Sequence, residues 1–332
     1  MIQPYTVQEI VLHNNSLSVS ILNLGATVAK IIYPDATGTA LDLTLGYDTP
    51  DQYKRNMGFF GVTVGRCTNR IANATFQLDG TQVQVTANAG PHHIHGGNNS
   101  FALQYFDVVS QTDTSVVLTL SSPDDQDGYP GNLRLSVTYE LSGSALHIIY
   151  QATADKTTII NLTNHAYFNL NGSGSVLQHR VTSPADSFCA SDLLGIPQER
   201  TVVTGTPFDF REENTLDAFI RNPHPQTAQY AGYDHHFLVN GEGYRHMLTA
   251  YGEKSGIRMD VMSTQEGFQL FTANNMHNIA GKNAQVYEPY CGFCVETQTA
   301  PNAVNRPFNR SPVLKAGQTY YQKTTYQFSC VE

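Results

Sequence analysis

The sequence has 332 residues, with 28 acidic side chains against 19 basic ones and a formal net charge of −9 at pH 7. Only 14% of the residues are charged and 40% are hydrophobic, and Thr, Val, Tyr and Gly are abundant, as is typical of strands and turns. The acidic balance and the absence of Lys or Arg runs argue against nucleic acid and anionic membranes as partners. We therefore expect a mainly β protein.

The N-terminal segment and the cysteines bear on location. Residues 1–30 include Glu9 and several amides, where a secretory signal would need a basic end and an apolar stretch. No window approaches the roughly 18 consecutive apolar residues that span a bilayer. An odd and sparse set of cysteines does not suggest a disulfide framework. These cysteines are Cys67, Cys189, Cys291, Cys294 and Cys330. We expect a cytoplasmic protein.

Alternation of apolar and polar residues predicts strands along the whole chain. Two of them, at 76–78 and 83–85, flank Asp79-Gly80, a dipeptide that accepts the positive φ angles of a tight hairpin turn. The clearest strand is 133–141 (LRLSVTYEL), in which every odd-numbered residue is apolar. Further strands are predicted at 41–47, 114–121, 145–151, 247–251 and 257–262.

Helices are expected to be minor elements. Residues 211–221 (REENTLDAFIR) are predicted to form one or two helical turns after Phe210. The chain has no low-complexity linker and no repeat of fixed period, so residues 1–332 are expected to form a single domain. Many short strands separated by Gly, Asn and Pro turns predict a large antiparallel β-sandwich, in which the polar residues of a concave face line a groove.

Polar clusters mark the candidate sites. They are Asn69-Arg70-Ile71, 92–97 (HHIHGG), 161–170 (NLTNHAYFNL) and 292–298 (GFCVETQ). A lone Arg70 is usually a solvated surface charge. His93 and His95 would share a face of an extended segment, and ligand, catalyst and hydrogen-bonded polar residue remain open for them. His165, among apolar and amide neighbours, is more typical of a hydrogen-bonded core histidine than of a catalyst.

The fourth cluster favours function over structure. Strand alternation puts Cys294 and Glu296 on one face with Gly292, and Phe293 and Val295 on the other. A carboxylate rarely enters such an apolar strand without a partner. The small neighbours of Glu296 leave room for a ligand, so this carboxylate is predicted to be functional.

Two weaker patterns concern metals. Cys291 and Cys294 have C-x-x-C spacing, but no second cysteine pair completes a zinc site and no helix pattern follows, so burial is the better interpretation for both. Asp234 is followed by His235 and His236. Together with the histidines at 93 and 95 they keep a metal site as a minority interpretation.

Several stretches of the chain are informative as an ordered set. They are GRCTNRIANATFQLDG (65–80), NAGPHHIHGG (88–97), DGYPGNL (127–133), NLTNHAYFNLNG (161–172), GTPFDFR (205–211), GYDHHF (232–237), GFQLFTAN (267–274) and GFCVETQTAPNAVN (292–305). In this combination and order the sequence resembles the aldose 1-epimerases, also called galactose mutarotases, over essentially its full length.

This resemblance implies an all-β galactose mutarotase-like supersandwich with few short helices. It also implies an enzyme that interconverts the α and β anomers of free hexoses such as galactose and glucose, with no cofactor. No metal is expected, because proton transfer at an anomeric centre needs no Lewis acid. Glu296 matches the general base of the family and His165 its general acid. Substrate-binding positions are matched by Arg70, His95 and Asp234.

Further residues are expected to contact the sugar. The amides of Asn69, Asn169 and Gln269 are assigned to its hydroxyls, and Phe271 to its apolar face. Departures from the family pattern, at His92, in 98–109 and at Asn302, leave the preferred hexose open. A monosaccharide is the expected partner, and monomer and homodimer both remain open.

Mutarotation needs only proton transfers, because a proton leaves the C1 hydroxyl while another reaches the ring oxygen and opens the ring. A Glu and a His suit this near neutral pH if each charge favours the other. Two alternatives remain. A glycoside hydrolase would use Asp234 and Glu296 as paired carboxylates, and a non-catalytic sugar-binding module would account for a polar groove.

Overall fold

The structure is a computed structural model that describes residues 6–56 and 58–330. The first part of the chain contributes β1 (Glu9–His13), β2 (Ser18–Leu22), β3 (Thr27–Pro34), β4 (Ala40–Asp42), β5 (Thr63–Val64), β6 (Arg70–Ile71), β7 (Thr75–Leu78), β8 (Thr81–Gln84) and β9 (His93–Ile94). The middle part contributes β10 (Asp107–Gln111), β11 (Ser115–Ser122), β12 (Leu133–Ser142), β13 (Ala145–Ala154), β14 (Thr158–Ile159), β15 (Thr163–Asn164), β16 (Tyr167–Phe168), β17 (Arg180–Thr182), β18 (Ser187–Ser191), β19 (Pro197–Val202) and β20 (Asn214–Thr215). The last part contributes β21 (Asp234–Leu238), β22 (Arg245–Tyr251), β23 (Ile257–Ser263), β24 (Gly267–Phe271), β25 (Ile279–Ala280), β26 (Val286–Tyr287), β27 (Phe293–Gln298), β28 (Val313–Leu314) and β29 (Thr319–Cys330).

Helices are short. The α-helices are α1 (Ala218–Arg221) and α2 (Pro225–Tyr230), and 3₁₀ turns lie at Pro50–Arg55, Ala72–Ala74, Phe101–Leu103, Gln126–Gly128 and Lys282–Ala284. None of the helices between residues 6 and 330, Met57 aside, has the length and apolar character needed to cross a membrane.

Antiparallel pairing organises the strands into large sheets. A nine-stranded sheet has the order β10-β11-β12-β13-β29-β23-β22-β17-β20, and a six-stranded sheet has the order β16-β27-β24-β21-β18-β19. Strands β1 to β4 form a third sheet in sequence order, and short hairpins and pairs complete the architecture. The prediction of a large antiparallel β-sandwich is confirmed.

The core lies between these sheets. Along β12, Leu133, Leu135, Val137, Tyr139 and Leu141 are buried while the residues between them are half-buried or exposed. They join one continuous apolar cluster that also contains residues of β24 and β27. The predicted alternation at 133–141 is therefore confirmed, because one face of each strand is removed from water by the opposing sheet.

The predicted hairpin is also confirmed. Leu78 pairs with Thr81, so Asp79 and Gly80 form a two-residue turn, with φ angles of 48° and 79°. Positive φ at both central residues is the requirement of a type I′ turn, whose twist matches that of the flanking strands.

Two predicted elements differ from the structure. The strand at 41–47 is shorter, because β4 ends at Asp42, whose Oδ1 accepts hydrogen bonds from the backbone N–H and the hydroxyl of Thr44. The helix at 211–221 is confined to Ala218–Arg221. Its expected first turn is wrong, because residues 214–215 form β20 at the edge of the nine-stranded sheet.

Candidate active site

A cleft of about 310 Å³ opens beside β21, β24 and β27. Its lining comprises Gly58, Phe59, Asn69, Arg70, Ile94, His95, His165, Tyr167, Asp234, Phe271, Asn275, Met276, Ile279 and Glu296. A larger hollow of about 710 Å³ lies beside the ends of β11, β12 and β13 and has no candidate residue in its lining. The smaller cleft is therefore the candidate site, because it brings together most of the side chains singled out from the sequence.

Strand register places the carboxylates of the cleft. Asp234 on β21 pairs with Phe271 on β24, which pairs with Cys294 on β27. Two residues along, Gln269 pairs with Glu296. Residues at i and i+2 share a face, so these side chains all lie on one side of the six-stranded sheet. The predicted alternation in β27 is confirmed, with Phe293 and Val295 packed in the main core.

His165 reaches the same site from the link between β15 and β16. Its backbone N–H donates to the carbonyl of Val62 at 2.9 Å. The imidazole lies between the rings of Tyr167 and Phe59, at centroid distances of 5.0 and 6.0 Å. Its Nε2 is 3.7 Å from Oε1 of Glu296. The structure thus brings the two expected proton-transfer residues together in a cleft.

Arg70, Asn69 and His95 form the polar wall. Asn69 Oδ1 accepts from the backbone N–H of Arg70 at 2.9 Å, and the ring Nδ1 of His95 accepts from the backbone N–H of Asn69 at 3.3 Å. Asn302 holds this segment, because its Oδ1 accepts from the N–H of Ala72 at 3.0 Å. The amide oxygen of Asn302 accepts this hydrogen bond as a carboxylate oxygen would.

His93 and His95 do not share a face, so that expectation is wrong. His95 has a φ of 50°, a left-handed conformation that ends the extended segment. His93 is instead fixed between the carbonyl of Thr86 and the hydroxyl of Tyr129, each at 2.6 Å. His93 is thus a hydrogen-bonded structural residue, and His95 faces the cleft.

Gln269 contacts Asp234 and does not line the cleft. Its Nε2 donates to Oδ1 of Asp234 at 2.8 Å, whereas its buried Oε1 has no partner among the described residues. Gln269 is not in the cleft lining, while Phe271 is.

Asn169 lies outside the cleft. Its Nδ2 donates to the carbonyls of Gly174 and Cys291, both at 2.9 Å, and its Oδ1 accepts from the N–H of Asn171 at 3.0 Å. These bonds hold the turn after β16. The structure therefore does not bring this amide to a sugar hydroxyl, contrary to the expectation from the sequence.

The cysteines and histidines whose spacing suggested a metal site differ in their burial. Cys294 is buried as expected, but Cys291 is only partly buried. His235 and His236 are buried and absent from the cleft lining.

Among the described residues, one metal-like group does form, with donor atoms of His165, Cys294 and Glu296 within 4.8 Å of one another. Cys294 Sγ approaches Nδ1 of His165, whereas Glu296 approaches Nε2. Because these nitrogens lie on opposite edges of the ring, a single ion would not use both contacts.

Sequence reasoning missed part of the cleft. Phe59 has a φ of 57° and packs at 5.0 Å from His95 and 6.0 Å from His165. Nothing in the sequence distinguishes it from its neighbour Phe60, which is fully buried. Met276 lies in a loop and Ile279 in the two-residue strand β25, both too short to leave a periodic signal in the sequence.

Burial dominates the electrostatics of the pair. It lowers the pKa of His165 to about 4. Burial, with the nearby Asp234, raises the pKa of Glu296 well above its usual value, and Arg70 only partly opposes this. Both neutral forms are therefore favoured. This is opposite to the mutual stabilisation of charges expected from the sequence, since desolvation outweighs the attraction at 3.7 Å.

Comparison with known proteins identifies the family. The family model described as aldose 1-epimerase matches residues 8–327. The chain belongs to the aldose 1-epimerase family. It is 38% identical to the galactose mutarotase of Bos taurus, over 98% of this chain and 94% of the relative. It is 32% identical to the aldose 1-epimerase of Escherichia coli K12, over 98% and 96% respectively.

Solved structures of the family share the fold. The aldose epimerase homologue from C. elegans superposes with a TM-score of 0.92 at 32% identity, covering 98% of this chain and all of the other. Galactose 1-epimerase from Lactobacillus acidophilus superposes with a TM-score of 0.88 at 27% identity, covering 100% of this chain and 97% of the other. The chain is thus an isomerase that interconverts the anomers of aldoses.

Proposed function

We propose that the cleft binds a free aldohexose such as galactose or glucose, with Glu296 as general base and His165 as general acid. The observation that carries this proposal is the approach of Nε2 of His165 to Oε1 of Glu296 at 3.7 Å within the cleft. Asp234, Arg70 and His95 surround the pair and supply an acceptor, a donor and a neutral imidazole for the hydroxyls of the sugar.

In ring opening, Glu296 takes the proton of the C1 hydroxyl while His165 gives a proton to the ring oxygen. The C1–O5 bond breaks and an aldehyde forms, which rotates before the ring closes on the other face. On closure the same two residues return the protons, so the enzyme is regenerated and no other reactant is consumed.

The pair needs one shared proton for this cycle. Burial favours this proton on Glu296. Its transfer to His165 produces the state that opens the ring, with an ionised Glu296 and a protonated imidazole. A strongly acidic imidazolium is an effective proton donor to a weakly basic ring oxygen.

Polarimetry tests this function. Fresh α-galactose and α-glucose should each reach their equilibrium rotation faster with the protein present, with galactose slightly preferred, and no new sugar should form. Release of a monosaccharide from a glycoside would instead support a hydrolase. Binding without acceleration would support a sugar-binding module.

A phosphorylated hexose should be a poor substrate. A phosphate brings about two negative charges and needs several cationic or N–H donors around it. Among the residues that the structure describes, Arg70 is the sole Arg or Lys in the cleft lining, which also contains Asp234 and Glu296. We expect a much lower kcat/KM for glucose 6-phosphate than for glucose in the same polarimetric assay. A higher kcat/KM for the phosphate would show that the substrate class is wrong.

The pH profile should report the shifted pKa values of the pair. We expect kcat/KM to fall below about pH 4, where His165 takes up a proton while Glu296 is still protonated, so that the pair holds two protons. It should fall again at higher pH, where Glu296 loses its proton and the pair has none left to transfer. The midpoint of this second limb should lie above the usual pKa of a carboxyl group. Polarimetric rates, corrected for spontaneous mutarotation, measure this. An acid limb near the ordinary histidine value of about 6.5 would contradict it.

A further inference from the structure

Cys294 contacts His165, the proposed general acid, at the ring nitrogen that does not face Glu296, the proposed general base. Its Sγ is 3.5 Å from Nδ1 of His165, within hydrogen-bonding range for sulfur. Glu296 approaches Nε2 of the same ring at 3.7 Å. Cys294 is completely buried.

We propose that Cys294 is a positioning residue whose sulfur accepts a hydrogen bond from Nδ1–H of His165, so that Nε2 is the nitrogen that exchanges a proton in the reaction. This rests on the proposed role of His165 as general acid. A histidine that protonates a ring oxygen must first hold protons on both nitrogens, because the neutral ring is far too weak an acid. The second N–H then needs a buried acceptor, and Cys294 supplies it.

The chemistry of sulfur suits this position. Burial, with Glu296 and Asp234, raises the pKa of the thiol well above its usual value, so that the sulfur stays neutral. A neutral thiol accepts hydrogen bonds only weakly. It therefore orients the ring without stabilising the imidazolium as a carboxylate would, and the proton on Nε2 remains easy to transfer.

The other groups around the ring do not replace Cys294. Phe59 is apolar, and the rings of Tyr167 and His95 pack at centroid distances of 5.0 and 5.5 Å. The backbone carbonyl of His165 also raises the pKa of the ring, and substitution at 294 leaves this contribution in place. Asp234 and Arg70 line the same cleft with opposite charges.

Substitution of Cys294 tests the proposal. In Cys294→Ala, the buried Nδ1–H loses the sulfur as an acceptor, which disfavours the imidazolium. We expect kcat to fall roughly three- to tenfold with KM nearly unchanged, and the acid limb of kcat/KM to move to lower pH. Cys294→Ser restores a neutral acceptor and should recover most of kcat and the position of the acid limb.

Cys189→Ala provides the matched control. Cys189 is also buried in the six-stranded sheet, on β18, and packs against Leu238 and Ala300 away from the cleft. The loss of this sulfur should lower thermal stability without moving the pH profile.

An unchanged kcat and acid limb in Cys294→Ala, or equal losses in the Ala and Ser variants, would overturn the proposal. Absence of mutarotation by the unsubstituted protein would instead refute the proposed function, so the two failures are distinguishable.

Discussion

Replacement of Glu296 by Gln should lower kcat/KM for galactose by about 10² to 10⁴ while the protein stays folded. Glutamine keeps the shape of the carboxyl group but does not accept a proton from the C1 hydroxyl. Sugar binding should change much less than kcat, because Arg70, His95 and Asp234 are untouched. Polarimetric rates, corrected for spontaneous mutarotation, give both parameters.

Stability should move in the other direction. The folded protein raises the pKa of Glu296, so ionisation of this group opposes folding at any pH above its unfolded value of about 4.3. Glutamine does not ionise, so Glu296→Gln should melt at a temperature equal to or above that of the unsubstituted protein. The difference should grow as the pH rises from about 4.3 to the raised pKa of Glu296 in the folded protein, and stay constant above it. A loss of activity with a gain in thermal stability separates a catalytic role from a structural one.

Glu266→Gln is the matched control. Glu266 is buried to the same extent as Glu296, at 2% exposure, and its Oε1 accepts from the N–H of Ala300 at 2.7 Å outside the cleft. This variant should retain its turnover. Near-native turnover by Glu296→Gln would remove Glu296 from the mechanism.

The sequence predicted the features that depend on local periodicity. Alternation within one strand placed Phe293 and Val295 in the core and left Cys294 and Glu296 on the opposite face. The hairpin at Asp79-Gly80 was predictable because positive φ at both residues restricts which residues occupy such a turn. These are properties of a few consecutive residues, so tertiary context did not alter them.

Features that depend on turns and on single residues with positive φ were not predictable from the sequence. His95 reaches the cleft only because its φ is positive, which breaks the extended geometry assumed for His93 and His95. Asn169 belongs to a polar cluster in sequence, yet its amide satisfies backbone groups of a turn and a distant carbonyl. A pattern of residue types does not indicate which of its amides the backbone will use.

The contacts of His165 join segments that are distant in sequence. Nδ1 of His165 contacts Sγ of Cys294 across 129 residues, and Phe59 joins them from a third segment. Such pairings follow from sheet order, which alternation alone does not specify. The same folding removes His165 and Glu296 from water, and this desolvation reverses the charge states expected from their proximity.

Removal of the imidazole of His165 should be as damaging as removal of the base, and partly reversible. His165→Ala leaves a space between the rings of Tyr167 and Phe59, which hold the imidazole at 5.0 and 6.0 Å. We expect kcat to fall by about 10² to 10⁴, since the ring oxygen loses its proton donor. Added imidazole at tens of millimolar should enter this space and restore part of the rate.

Rescue by imidazole distinguishes proton transfer from a purely structural role. His147→Ala serves as the control, because this partly buried histidine lies on β13, where its Nδ1 contacts the hydroxyl of Thr325 at 2.7 Å. It should keep its turnover and show no more response to imidazole than the unsubstituted protein. If His165→Ala retained a turnover within tenfold of the unsubstituted protein, or remained folded, inactive and insensitive to imidazole, the proton on the ring oxygen would have to come from another donor.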